Sequence, residues 1–490
     1  RSSTVRPLRI VIVGGGISGL ATALVIQEAS VVKGLACHCT VLEAASYWGG
    51  KIVTHRAGDL LTEAGPDSFL SQKPAGLDLC AKLGLTEQLI NTNDTKKKAC
   101  VLWRGRLYDL PDGLISFAPQ QWTPLLRSGL LSWSGLARLG LETVIPRGVP
   151  GREESLASFC RRRFGRQAFE RVLEPLMAGI YAGDAEQMSL RATFPRFFEL
   201  EQRHGSVIRG MVAATRAASQ TKGAGSHHTM FVSLKNGLGD LVSALTARLR
   251  EQGVDLRLRC KVEALRVRSH EPGRWMYDLL LEDGSALSAD GLVLATPAYV
   301  SAELVRPLSP IAGGLLDMIP YASTATVALA YPAKNVVGTI QGFGFVVPRK
   351  EGRDLIAATW TSLKWPYRAP ADQVLVRCYV GGVGREKTLD VDDHTLVTRV
   401  HGELARICGI QEKPHYTEVN RWWKAMPQYT IGHLDRLAQL EAALSRYRGL
   451  VLVGAAYRGV GIPDCIRDGT AAAEKVLADL AGGRHGKAVR

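Results

Sequence analysis

Ile10-Val11-Ile12-Val13 is an unbroken apolar run bounded by Arg9 and by glycines, the pattern of a strand buried on both faces of a parallel sheet. Leu20 to Ala29 follows in small and branched residues and predicts a helix, and Thr40-Val41-Leu42 predicts a second strand that ends at Glu43. Val31 to Ala36 between them reads as an inserted loop. The same buried pattern returns far downstream, in Gly291 to Thr296 before Pro297 and in Leu450 to Val453 before Gly454. Pro463 then opens a helix running to about Leu480, with proline at the favoured first position. These distant runs predict one parallel sheet assembled from separate stretches of chain.

The middle of the chain is patterned differently. From Trp122 to Gly148 it is rich in Leu, with Trp133 and scattered Arg127, Arg138 and Arg147. Between Arg152 and Ala178, Phe169, Val172, Leu173 and Leu176 recur at helical spacing, so an all-helical insertion of about a hundred residues is expected. Its Leu/Trp/Arg mixture suits either a membrane interface or an ordinary amphipathic core. Ala217 to His228 reads as a polar loop of small residues. Strand patterns resume at Val254 to Val267 and Tyr277 to Leu281, with Asp283-Gly284 as a hairpin turn, and short strands alternate with turns from Ala322 to Tyr379.

The chemistry is most legible at the start. Gly14-Gly15-Gly16-Ile17-Ser18-Gly19 sits between a predicted strand and a predicted helix, and that context gives the Gly-x-Gly-x-x-Gly spacing its weight. Gly14 allows the tight turn, Gly16 lets backbone approach a pyrophosphate, and Gly19 lets helix pack on strand. The pyrophosphate would lie at the helix N-terminus, where unpaired N–H groups and the dipole favour negative charge. Glu43, twenty-four residues after Gly19, stands at a strand end where a carboxylate can bond a ribose hydroxyl.

With 490 residues, 46% of them hydrophobic, the chain exceeds one ordinary core, so two or three domains are expected and wholesale disorder is excluded. The net charge of +15 points to an anionic partner, and nucleic acid, membrane surface and a polycarboxylate substrate all fit it. Nine cysteines without a Cys-x-x-Cys pair predict reduced, mostly buried thiols in a cytoplasmic setting, and eleven histidines without His-Glu-x-x-His spacing give no support to a metal site. No signal peptide is read at the start, and no run of eighteen uncharged apolar residues predicts a spanning helix.

Together, Ile12 to Leu20, Gly49-Gly50, Gly65-Pro66-Asp67-Ser68-Phe69, Gly151 to Ser155, Ala178 to Asp184, Met426-Pro427-Gln428-Tyr429 and Tyr457 to Asp464 give a chain that resembles the flavin-dependent porphyrinogen oxidases of haem synthesis. That is the protoporphyrinogen/coproporphyrinogen oxidase family, within the monoamine-oxidase-like flavoproteins. The resemblance implies an α/β fold: a Rossmann-like FAD-binding domain from discontinuous segments (6–75, 232–298 and 445–485), an α+β substrate domain (201–231 and 299–444) and a helical membrane-associating insertion (88–200). It implies FAD held by Gly14, Gly15, Gly16, Ile17, Ser18, Gly19 and Leu20 at the pyrophosphate, and by Glu43 and Ala44 at the ribose. Lys51, Gly65, Pro66, Asp67 and Ser68 would lie along the flavin, Val262 against adenine, and Trp422, Val460, Gly461 and Ile462 would complete the ring site. The helix opening at Pro463 would aim its positive end at the reduced flavin. No second glycine fingerprint follows a strand, so the electrons are expected to pass to O2 or another external acceptor.

The reaction so implied takes six electrons from a porphyrinogen to give the porphyrin, with hydrogen peroxide if oxygen is the acceptor. Gly179 matches a position whose carbonyl faces the pyrrole N–H groups, Lys73 is the candidate carboxylate partner, and Asp67 the candidate catalytic base, although a turn-forming Asp is the better reading there. An arginine that pairs a propionate in the mitochondrial and plastid enzymes aligns with Ala99, and Tyr47 replaces an arginine common before Gly49-Gly50; Lys96, Lys97, Lys98, Arg104 and Arg106 offer other cations. Protoporphyrinogen and coproporphyrinogen therefore both stand as substrates. A flavin amine oxidase (with Cys465 as the tether to examine), a polyene desaturase and a porphyrin carrier are the alternatives. A homodimer and a peripheral membrane contact are further expectations from relatives; nucleic acid is not expected as a partner.

Overall fold

Five short strands, the inner ones apolar, pair side by side into one parallel sheet, in the order Asp255–Arg257, Cys37–Leu42, Leu8–Val13, Gly291–Leu294 and Leu450–Leu452. In this computed structural model, residues 6–93, 98–110, 127–149, 151–220, 228–271, 274–336, 338, 340 and 342–482 are described. Ile12 is flanked by Val41 and Val293, and Val293 by Val451, so segments from both ends of the chain share one row. Both faces are covered, as the unbroken apolar patterns require. Ile10, Ile12, Val41, Val293 and Val451 pack on one side with the first helix (Ile17–Val32), the helix Gly239–Glu251 and the closing helix (Ile462–Gly482). Val11, Val13, Leu42, Leu292 and Leu294 pack on the other, against an antiparallel sheet of Val262–Glu271, Arg274–Leu281 and Ala286–Ala289 and against the helices Ala298–Val305, Pro310–Asp317 and His433–Leu444.

The first helix runs three residues past the predicted Ala29, because the Lys33 N–H still finds the Ala29 carbonyl. The loop expected over Val31 to Ala36 thus starts on a helix whose last two valines are exposed, and only Lys33 to Ala36 connects to the next strand.

A second, seven-stranded sheet runs in the order Tyr416–Pro427, Tyr321–Pro332, Gln373–Gly381, Leu355–Thr359, Gly344–Val346, Ala99–Trp103 and Arg106–Asp109. One face closes on the helix Asp393–Cys408 through Val327, Val376, Leu396, Val400 and Leu404. The insertion expected to be all-helical from residue 88 therefore begins with strands: Leu89–Asn91 joins Phe231–Leu234, and Ala99–Trp103 joins the large sheet beside Gly344–Val346. The reason is pairing over long range, which a local pattern does not display.

Helices follow from Trp133–Gly140 through Leu156–Phe164, Glu174–Tyr181 and Pro195–His204 to Val207–Gln220, twenty residues beyond the expected limit at 200 and into the stretch read as a loop. Their core holds Leu130, Phe159, Phe169 and Phe197. A buried ion pair crosses it: Arg163 Nε donates to Glu142 at 2.8 Å, and both side chains are fully shielded. Leu130 is buried in that core, whereas Trp133, three residues on, is 85% exposed. None of the nine cysteines, all within the described residues, is in a disulfide. Lys96, Lys97, Trp122 and His227 lie outside the described residues.

Candidate functional site

The opening turn is shaped by what its glycines exclude. Gly14 has φ +112, and a Cβ there would lie 2.6 Å from the Ala295 carbonyl oxygen; at Gly19 it would lie 2.0 Å from the Gly14 oxygen. Gly16 is the exception, since a Cβ on it would meet nothing within 4 Å. That residue caps the first helix, whose first turn carries no acidic side chain. The space beside Gly16 is therefore open, lined by helix-terminal N–H groups, and suited to an anion.

Glu43 folds back on this turn. One carboxylate oxygen accepts from Gly15 N–H and the other from Ala45 N–H, both at 2.7 Å. The segment 257–260 runs alongside, with Glu43 N–H donating to Arg257 and Cys260 N–H to Glu43, and so sets buried Val262 close to Glu43 and Ala44. Gly49 N–H donates to the Gly15 carbonyl, and the Trp48 ring covers Gly15 with its indole N–H buried and without a partner.

Lys51 follows, and its ammonium has no hydrogen-bond or ion-pair partner among the described residues; burial pushes it below the ordinary lysine range, with the nearby Cys465 sulfur opposing. Burial raises the Cys465 thiol to about 11, with Ser18 opposing, so it stays protonated at neutral pH. The first and closing helices meet closely here: a Cβ on Gly469 would lie 2.9 Å from the Ser18 carbonyl. Open space, two helix N-termini and a half-buried lysine converge, and this arrangement fits a dinucleotide with a central diphosphate.

The 64–68 turn is pinned from the large sheet. The Ala64 carbonyl accepts from Trp422 Nε1 at 2.8 Å and Thr326 Oγ1 at 3.1 Å, and Arg377 donates to Gly65. Asp67 takes Ser68 Oγ at 2.7 Å and Trp365 Nε1 at 3.2 Å, with Lys364 Nζ at 3.6 Å. Burial alone would raise its carboxyl, but Lys364 and Arg377 outweigh that and hold it well below the usual carboxylate range. Asp67 is thus a fixed negative charge. A carboxylate so stabilised is a weak proton acceptor.

Lys73 Nζ is bound to Asp464 at 2.5 Å, across to the first turn of the closing helix, and Asp464 also meets Arg467 at 3.0 Å. Gly179 is exposed and a Cβ there would meet nothing within 4 Å, with Ile180 beside it half exposed. Its carbonyl already accepts from Ala182 N–H at 3.2 Å. Ala182 is left-handed (φ 48), and that turn is held by Gln428 Nε2 on the Tyr181 carbonyl at 2.8 Å and by Val383 N–H on Ala182. Tyr429 donates to the Ala455 carbonyl at 2.6 Å and accepts from Gly459 N–H at 2.8 Å, bracketing the segment that leads to Val460, Gly461 and Ile462.

Lys364, Trp365, Arg377 and Tyr429 have structural positions that sequence patterning did not bring out. A visible signal existed for one of them: Arg377 is the single charge within the apolar strand Val374 to Val380.

Residues 17–477 match the family of flavin containing amine oxidoreductases. Coproporphyrinogen III oxidase of Bacillus subtilis (strain 168) is 35% identical over 472 residues, covering 96% of this chain and 98% of that protein. Chloroplastic protoporphyrinogen oxidase of Oryza sativa subsp. japonica is 32% identical, covering 95% and 87%. A crystal structure from Exiguobacterium sp. 255-15, of a protein provisionally named protoporphyrinogen oxidase, superposes with a TM-score of 0.83 at 32% identity, covering 97% and 100%. Putrescine oxidase, at 14% identity and a TM-score of 0.65, shares the fold.

Proposed function

The chain belongs to the flavin containing amine oxidoreductases, and on that premise we propose that it is an FAD-dependent porphyrinogen oxidase of haem synthesis, acting on coproporphyrinogen III or protoporphyrinogen IX. The observation that carries this reading is the near-full-length similarity to enzymes of those two names, coupled with an open, cationic cradle where the first and closing helices meet. Six hydrogens and six electrons leave the porphyrinogen, and with O2 as acceptor three O2 become three H2O2. FAD supplies the hydride acceptor when bound.

The chain supplies position and charge. Gly14 to Leu20 would receive the diphosphate, Glu43 and Ala44 the ribose, and Val262 the adenine. Lys51, the 65–68 turn, Trp422 and Val460 to Ile462 would border the flavin, and Gly179 and Ile180 would wall the space for the macrocycle. We assign 6–75, 232–298 and 445–485 to the cofactor domain and 299–444 to the substrate domain; the helical unit extends to Gln220. Trp133, Leu141, Val144 and Val149 are exposed beside Arg127 and Arg147, which supports a peripheral contact with an anionic membrane; no described helix is long and apolar enough to cross one. Co-sedimentation with anionic liposomes, reduced in Trp133→Ala, tests that contact.

The decisive assay follows porphyrin fluorescence and peroxide after FAD-loaded protein meets each porphyrinogen in air. Turnover above the spontaneous background on at least one substrate is expected, with three peroxides per porphyrin. No turnover on either would overturn the assignment.

A further inference from the structure

The face of the large sheet opposite its helix-packed core is built in rows. Ala99, Gly344, Thr359 and Arg377 stand side by side across four strands, and the next row holds Val101, Val346, Ala357 and Tyr379. Ala99, Val101 and Val346 at one end of these rows pack against the helical unit, Thr359 and Ala357 keep the middle of this floor low, and at the other end the Arg377 guanidinium lies 4.9 Å from the Tyr379 ring centroid. Lys364 stands beside that end, because Asp67 feels both cations.

The charges there do not balance. Lys364, Arg368 and Arg377 outnumber the carboxylates Asp67 and Glu63 that they face, with Arg56 adding to the positive side, around a mostly shielded turn. Arg377 is committed to the carbonyls of Ala64 and Gly65, and Arg368 to those of Leu234 and Lys235. Lys364 is not so committed. Its Nζ sits 3.6 Å from Asp67, beyond a good hydrogen bond, and 5.4 and 5.1 Å from the ring centroids of Phe231 and Trp365. Among the described residues that ammonium makes no hydrogen bond, so its three donors remain available, while its side chain is 16% exposed. Lys73 and Lys98 sit in closer pairs, 2.5 and 3.1 Å from their carboxylates, than the 3.6 Å between Lys364 and Asp67.

We infer that Lys364, poised between Asp67 and the aromatic faces of Phe231 and Trp365, binds a carboxylate of the substrate and sets how the macrocycle lies on the floor. This rests on the proposed porphyrinogen reading, which supplies the anionic side chains. A desolvated ammonium with free donors gains more from one carboxylate than an exposed lysine does.

The test uses FAD-loaded protein with two probes, coproporphyrin III and its neutral tetramethyl ester, with binding followed by fluorescence. Lys364→Met should weaken the acid at least tenfold and leave the ester within twofold. KM for coproporphyrinogen III should rise similarly with kcat within threefold, and Lys364→Arg should restore most of the loss. An unchanged ratio of acid to ester affinity in Lys364→Met would overturn the inference, even with wild-type turnover intact. Absence of wild-type turnover would instead defeat the functional reading. Should Lys364→Met misfold because Asp67 is left uncompensated, Lys364→Met with Asp67→Asn removes the pair together and carries the same comparison.

Discussion

The imidazole of His433 lies flat on the ring of Tyr429, with centroids 4.2 Å apart and planes 16° from parallel. Nε2 of the same imidazole meets the Tyr457 carbonyl at 2.9 Å, so stack and hydrogen bond together brace the 455–459 segment that Tyr429 brackets. Burial, helped by Arg436 and Arg458, lowers the imidazole from 6.5 to about 4. Between those values the unfolded chain binds the extra proton and the folded one does not. Stability is therefore fully present above pH 6.5 and is lost as pH falls towards 4, by up to about 3 kcal/mol. Urea midpoints measured from pH 7 to pH 4 should fall, and His433→Gln should flatten that slope while lowering stability at pH 7.

Gly16 and Gly19 should fail in different ways. A valine at Gly16 enters open space on ordinary extended backbone (φ −73), so Gly16→Val should fold with an unchanged melting temperature in the flavin-free form and retain no yellow colour. Gly19→Val forces carbon onto the Gly14 carbonyl and should yield insoluble or strongly destabilised protein. Circular dichroism and the absorbance of purified protein separate the two.

The residues behind this contrast are legible in the sequence. The apolar run Ile10 to Val13, the glycines and Glu43 lie within 34 residues, and their roles follow from local backbone chemistry. The site around Asp67 is not legible in that way. Its neighbours Lys364 and Arg377 arrive from some three hundred positions away through strand register, and nothing local announces that Thr359 stands beside Arg377. Likewise Ala99–Trp103 falls within a stretch patterned as a helical unit because its partner, Gly344–Val346, lies 245 positions further on. Leu130 and Trp133 are both large apolar side chains with opposite exposures, a distinction settled only by the fold.

Lys51 offers a prediction with opposite signs. An ammonium held half-buried and without an ion-pair partner among the described residues destabilises the flavin-free protein and is compensated once an anionic ligand arrives. Lys51→Met should therefore raise the melting temperature of the flavin-free form slightly and weaken FAD binding about tenfold, as one lost charge-assisted contact of roughly 1.5 kcal/mol implies. Thermal melts with and without added FAD would show the crossover.

Cys465 should not hold the flavin covalently. Its thiol is 5% exposed and titrates near 11, so the thiolate needed for a tether is scarce at neutral pH. Heat or acid denaturation should release all of the flavin into the supernatant, and Cys465→Ala should still purify yellow.

The parallel sheet cannot be finished until Leu450–Leu452 emerges, more than four hundred positions after Leu8–Val13. At typical elongation rates the ribosome takes about 20–90 s to cover that distance. For the last third of that interval, once it has itself emerged, the apolar strand Gly291–Leu294 has an unfilled edge, a template for illicit pairing with another nascent chain. The burden on chaperones during synthesis is thus written into the order of the strands.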